Sequence, residues 1–307
     1  MKNGLLEYKS ELTYLGVIIT DSGKLANDIE SYISSKRSDV TIKYGNFCRK
    51  NFLAPLDVKL DVLNTCVAAS ITYASETWGI SPNSVETIYR QGIKCALSVR
   101  SCVNNEIVYL ESGEWPLEIR VKRQQLNFWK MIQKIVNEDA NNYIAKLVNL
   151  GENTSYLKYY KNLNDTYIDP VSCTNTLTTY FKERYSSKIH EAARLDLNSK
   201  LGTYLSVNPT LSKPSYENVY EFQRVLITRY RTGSHNLRIE KDRRIPNSLR
   251  EERLCCCGTG IQTLRHILLV CPLLQNVREK YGISDVENGV MNDAFLIEME
   301  CILGIKR

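Results

Sequence analysis

The chain has 307 residues, 43% of them hydrophobic and 24% charged, and its 40 Lys+Arg against 34 Asp+Glu leave a formal net charge of +6. That length and apolar content suffice for one large core or two modest ones. The mean hydropathy of −0.30, the lack of a long uncharged apolar run and the charged residues soon after Met1 argue against a membrane span or a secretory leader.

Leu12 to Thr20 (LTYLGVIIT) is rich in β-branched and aromatic residues, which predicts a strand closed by a tight turn at Asp21-Ser22-Gly23. From Lys24 the period becomes helical, with Leu25, Ile29, Tyr32 and Ile33 on one face. A second helix is expected over Asp57 to Tyr73, behind Pro55, and a third is opened by Ser81-Pro82-Asn83-Ser84 and runs through Val99. A short helix from Asn105 to Glu111 stops at Ser112-Gly113, and Pro116 begins a longer one carrying Ile119, Leu126, Phe128, Trp129 and Ile132. Arg120 and Arg123 beside Trp129 read more readily as solvated arginines over an aromatic core than as a nucleic-acid face. Gly151 to Thr178 is polar and rich in Asn and Tyr, so it reads as a connector with a short helix near Tyr156 to Leu163. Thr179 to Leu195 is helical, and its lone His190 is given no role. Pro214 and Ser215 introduce a helix from Tyr216 to Tyr230, stopped by Gly233.

The excess charge is concentrated just after this helix. Residues 224 to 253 hold nine Lys+Arg against four acids, a net +5 of the chain's +6. A patch of that density suggests a partner that carries phosphates. Arg224, Arg229, Arg231, His235, Arg238, Arg243, Arg244 and Arg253 are the expected nucleic-acid contacts, with Tyr230 and His235 able to stack on unpaired bases.

This ribbon runs directly into Cys255-Cys256-Cys257, followed by His266 and by Cys271 in front of Pro272. The other cysteines occur singly, several of them inside helical patterns (Cys48, Cys66, Cys95, Cys102). The cluster therefore favours a metal over disulfides, in a reducing nuclear or cytosolic compartment. Zinc takes four thiolate or imidazole ligands in a tetrahedron, and Cys255, Cys257, His266 and Cys271 are the candidates. A short helix is expected over Thr263 to Val270, and Pro272 bars helical geometry at Cys271, which places that thiol at the helix end. Against this, paired cysteines of zinc knuckles are usually two to four residues apart, and the triplet offers at most one intervening residue. The competing reading is cysteines that pack as small apolar residues and bind nothing. The fold class expected from these elements is mainly α. A helical bundle of three to four helices carries a short β element at the N-terminus and a small zinc-knuckle-like module at the C-terminus.

Taken together, LTYLGVIITDSG, YASETWG, NNEIVYLESGEWPLEIRVKRQQLNFWK, RYRTGSHNLRIE and EERLCCCGTG…HILLVCPLL, in that order, resemble the C-terminal part of a non-LTR retrotransposon reverse transcriptase, an RNA-directed DNA polymerase. The resemblance implies a residual palm strand and turn at 1–23, a helical thumb-like domain at 24–150, the connector at 151–178, a helical linker with the basic segment at 179–253, and a Cys-Cys-His-Cys module with C-terminal helices at 254–307. It implies template RNA and target DNA as partners, together with the missing palm of a longer polyprotein. The family's catalytic aspartates precede the YLG strand, so the chain alone is expected to lack polymerase activity and no catalytic residue is assigned. Gly258 stands where the family's second cysteine would follow Cys255, and Thr263 where an acidic residue commonly precedes the histidine. Two other readings remain open: a helical protein-interaction protein whose cysteine module is structural or degenerate, and an enzyme using Cys257 as nucleophile with His266 as base. The last lacks an orienting third group and is the least favoured.

Overall fold

The computed structural model describes residues 10–14, 17–20, 25–80, 83–197, 199–216, 219–242 and 250–305. The protein is mainly helical, with one short β element and a Cys/His cluster near the C-terminus. The expected single strand is a hairpin: β1 (Glu11–Tyr14) pairs antiparallel with β2 (Val17–Thr20), Leu12 facing Ile19 and Tyr14 facing Val17. Two intervening residues are enough for the chain to reverse. The turn expected at Asp21-Ser22-Gly23 and the helix start at Ser81-Pro82 lie outside the described residues.

Helices follow in close succession. They are α1 (Leu25–Lys50), α2 (Leu56–Val62), α3 (Ala69–Ile71), α4 (Asn83–Leu97), α5 (Asn105–Ser112), α6 (Leu117–Glu138), α7 (Tyr143–Leu150) and α8 (Ser155–Thr166). After them come α9 (Pro170–Leu195), α10 (Lys200–Val207), α11 (Glu221–Arg231), α12 (Arg238–Asp242), α13 (Gln275–Tyr281), α14 (Val286–Met291) and α15 (Asp293–Ile302). A π-helical stretch, Leu63–Ala68, joins α2 to α3, so the expected second helix is continuous but locally widened. Most boundaries follow local chemistry. The side chains of Asn104, Asn142, Thr154, Ser199, Asp285 and Asn292 each accept a backbone N–H in the first turn of the helix that follows. Gly113 ends α5 at φ +74°, where glycine carries no steric penalty. The helix expected from Tyr216 starts only at Glu221, where the Gln223 side chain caps the Tyr220 N–H.

The chain divides into two compact units, each assembled from three separated segments. Unit 1 comprises 1–47, 62–92 and 115–180; unit 2 comprises 48–61, 93–114 and 181–307. Residues 151–178, expected as a connector with a short helix near Tyr156 to Leu163, carry that helix as α8 and also the start of α9. Tyr160 and Tyr167 are core, and Tyr156 and Tyr159 pack against it partly buried. Tyr160 is fully buried in unit 1, where its ring stacks on Trp129 at 5.7 Å and meets Phe128, Tyr156 and Tyr159 at tilted or edge-on angles. Its hydroxyl donates to the Glu76 carbonyl and accepts from Gly79 N at 3.2 Å. Each such aromatic pair adds about 0.5–1.5 kcal/mol beyond the area it buries. Trp129 thus belongs to the core, as the arginine-over-aromatic reading of α6 anticipated.

Unit 2 is built on α11, which packs against α14 and α15. Its interior is unusually polar. Glu111 is fully buried and accepts from Arg231 Nε at 2.9 Å, Tyr204 Oη at 3.1 Å and Tyr216 Oη at 2.5 Å. Arg231 Nη1 also donates to the Val207 carbonyl at 2.7 Å. Burial works against charge on Arg231, but Glu111 and the tyrosines outweigh it and raise its pKa. Burial, with Glu111 next, raises both tyrosine hydroxyls well above their ordinary value, so they remain donors to the carboxylate. A second buried group joins Lys59, Glu221 and Arg224, with Lys59 Nζ 2.6 Å from Glu221 and Arg224 Nη2 2.8 Å from it.

Candidate metal centre

The Cys/His module folds as a tight hairpin followed by a widened helical turn, both in unit 2. Leu254 and Ile261 form an antiparallel bridge, and Cys255 N donates to the Gly260 carbonyl at 2.7 Å. Between them the chain reverses on Gly258, whose φ of +75° an L residue rarely adopts, while Gly258 N donates to the Cys255 carbonyl at 2.9 Å. The residue that stands in place of an expected cysteine is therefore what lets Cys255 and Cys257, separated by one residue, approach the same point. Gly260 matters as well: a Cβ there would sit 3.3 Å from His266 Nδ1.

The second ligand pair comes from the segment behind the hairpin. Thr263 Oγ1 accepts from His266 N at 3.1 Å, so the residue that replaces the expected acid still caps this turn. His266–Val270 is π-helical, and Cys271 N donates to the His266 carbonyl at 2.8 Å. This i→i+5 bond widens the turn and brings residues five apart to the same side. Cys271, in front of Pro272, has left helical geometry (φ −57°, ψ 119°), as the proline requires. Its carbonyl accepts from Arg278 Nη1 at 2.7 Å, a brace from α13 that no local signal announced.

The outcome is convergence of all four predicted ligands. One ligand atom from each of Cys255, Cys257, His266 and Cys271 lies within 4.8 Å of every other. Cys255 Sγ is 3.8 Å from Cys271 Sγ, and Cys257 Sγ is 3.3 Å from His266 Nε2. A tetrahedral zinc with bonds of about 2.0–2.3 Å separates its ligand atoms by about 3.5–3.8 Å, so the spacing fits a metal. It does not fit a disulfide, which needs sulfurs about 2.05 Å apart. Cys256, between the two inward cysteines, is exposed. Burial pushes the Cys255 thiol up to about 12 and raises that of Cys271. Burial acts upward on Cys257 too, but hydrogen bonds from the Thr259 hydroxyl and backbone, from Cys255 and from His266 draw it down to about 6. With all three thiols deprotonated the thiolates would repel one another at this spacing, and a bound cation would relieve that repulsion.

The basic segment is distributed differently from expectation. Arg224 and Arg231 are buried and paired with Glu221 and Glu111, so neither guanidinium reaches a phosphate; this corrects their assignment as nucleic-acid contacts. His235 is buried as well and stacks on Tyr230 at 5.0 Å, which leaves neither ring open to a base. Arg229 and Arg238 are exposed and each donates to a main-chain carbonyl, Arg229 to Ser98 at 3.2 Å and Arg238 to Leu254 at 2.7 Å. Arg253 is partly exposed beside the hairpin. Arg243 and Arg244 lie outside the described residues. Cys66 and Cys102, expected within apolar helical faces, are exposed.

No protein family, curated protein or solved structure matches this chain. Among the described residues no helix is long and apolar enough to cross a membrane.

Proposed function

We propose that the chain is a nucleic-acid-gripping C-terminal portion of a non-LTR retrotransposon reverse transcriptase, with a structural zinc held by Cys255, Cys257, His266 and Cys271. The observation that carries this reading is the convergence of those four side chains at metal-ligand spacing, on the residues that the resemblance singles out. Four protein ligands close the coordination sphere, so the metal would hold the hairpin to the turn behind it rather than activate a substrate. Exposed Arg229, Arg238, Lys241 and Arg265, with Arg243 and Arg244 by sequence, supply cations for RNA or DNA phosphates, in nucleus or cytosol. Affinity of this kind is salt-dependent and largely blind to sequence.

One observation favours a second reading, in which the helical scaffold binds protein: Arg224, Arg231 and His235 are withdrawn into the core, which thins the cationic surface. The Cys257–His266 pair as nucleophile and base is less well supported. His266 Nδ1 has no hydrogen-bond partner among the described residues, so nothing orients the ring, and two further thiols crowd the same site.

Metal analysis of chain purified without chelator should give about one zinc per molecule, lost in Cys257→Ser and retained in Cys256→Ser. Filter-binding titrations with RNA and DNA should show affinity that falls steeply with salt and weakens in R229A/R243A/R244A. Absence of zinc would remove the metal from this reading, and binding that persists at high salt in the triple variant would favour the protein-interaction reading.

A further inference from the structure

Unit 2 holds a cleft of about 490 Å³ whose lining is both aromatic and cationic. Helix α11 supplies one wall with Phe222, Val225, Leu226 and Arg229, at the spacing of a single helical face. Phe52 lines the cleft as well. Phe222 is 49% exposed and Phe52 37% exposed, and Tyr220 stacks on Phe222 with ring centroids 6.3 Å apart and planes at 11°. Two accessible aromatic rings, Phe52 and Phe222, thus line the depression, and Tyr220 stands beside Phe222 outside it.

Arg229 stands two helical turns from Phe222, roughly 10 Å along the axis. Its Nε is spent on the Ser98 carbonyl, and its two Nη amines make no hydrogen bond among the described residues. That carbonyl is fixed by an unusual backbone, since Ser98 has φ +58°. The floor is rigid: Tyr230 is fully buried, stacks on His235 and donates to Glu300 at 2.9 Å, while Arg100 ties down the His235 carbonyl at 2.9 Å. A fixed floor below open aromatic rings and an exposed guanidinium suits a flat, π-faced ligand joined to an anion.

We propose that this cleft takes an unpaired base of a single-stranded nucleic acid, stacked on Phe222 with its phosphate on Arg229. This rests on the nucleic-acid reading above and names the form of nucleic acid bound. A base in a duplex has both faces covered and cannot enter, whereas an unstacked base offers the π-face that an aromatic ring accepts.

The test is fluorescence anisotropy with the zinc-loaded full chain and labelled 12-nucleotide RNA and DNA, each as a single strand and as a blunt duplex. Phe222→Leu keeps an apolar side chain but removes the ring, and should weaken single-strand binding roughly 5- to 100-fold while duplex affinity stays within about twofold. Phe222→Tyr restores the ring and should restore affinity. Arg229→Gln should lower the single-strand salt slope by about one. If the wild type binds nucleic acid but Phe222→Leu and Arg229→Gln bind single strands equally well, the cleft proposal fails and the nucleic-acid reading stands. If the wild type binds neither form, both fall.

Discussion

Two polar clusters in unit 2, one fully buried and one half-buried, meet the same electrostatic problem in opposite ways. The Glu111 carboxylate is balanced from within by the Arg231 guanidinium and two tyrosine hydroxyls. The cluster of Cys255, Cys257, His266 and Cys271 gathers three potential anions and an imidazole, with no side-chain cation bonded to it among the described residues. A polar group that is complete by itself is architecture. One that concentrates ligands of a single kind calls for something from outside. The same criterion sorts two arginines of α11, since Arg231 has its acid and Arg229, two residues earlier, has none among the described residues.

Stripping the proposed metal should test this contrast most severely. Apparent binding energies for structural zinc are about 10–16 kcal/mol, and that energy is folding energy. With chelator, amide exchange should rise sharply across residues 254–281 while unit 1 stays protected; unchanged protection in the hairpin would erase the distinction between the two clusters. The self-balanced cluster should respond to losing either partner. Arg231→Met leaves Glu111 charged and unpaired and should cost about 3–5 kcal/mol in urea unfolding, whereas R231M/E111L should recover most of it. Equal losses in the single and double variants would mean that packing, not charge balance, sets the cost.

A smaller effect is expected in unit 1. Tyr160→Phe keeps the aromatic stack but removes the hydroxyl that serves Glu76 and Gly79, at about 1–3 kcal/mol by the same measurement. The least effect belongs to the surface pair of exposed Lys280 and half-exposed Glu298. Hydrogen bonds from Lys280 and Tyr281 hold the Glu298 carboxyl below the usual carboxylate range. Its contribution is therefore complete at neutral pH and fades as pH falls through that lowered value. Glu298→Gln should lower the urea midpoint slightly at neutral pH, and the difference should vanish once the medium is acid enough to protonate Glu298.

The candidate metal site was legible because its chemistry is local: four ligand residues within seventeen positions, a proline that ends a helix, a threonine that caps one. Even Gly258, which by spacing alone looks like a lost ligand, reports a turn once its positive φ is known. The fate of the arginines was not legible, because it depends on distant partners. Arg231 meets a glutamate 120 positions earlier in the chain. Arg224 and Arg229 lie five residues apart on α11, and the apolar run Val225-Leu226-Ile227 between them does not mark which side is covered. In the segment read as a connector the short helix was legible, but its share of the core was not, for a related reason. Tyrosine was counted as polar there, whereas Leu157, Tyr160 and Leu163 line a buried helical face on which the tyrosine hydroxyl finds main-chain partners.

The interleaving of the two units has a consequence for how the chain is made. When the ribosome has delivered Tyr180, every segment of unit 1 has been synthesised, while unit 2 still awaits its largest piece. Until α11 follows, the Glu111 carboxylate must stay hydrated and α5 cannot bury the side of itself that carries it. Vectorial synthesis thus imposes an order on assembly, and a chain stopped early would keep its aromatic core but present an acidic, unfinished helix to the cell.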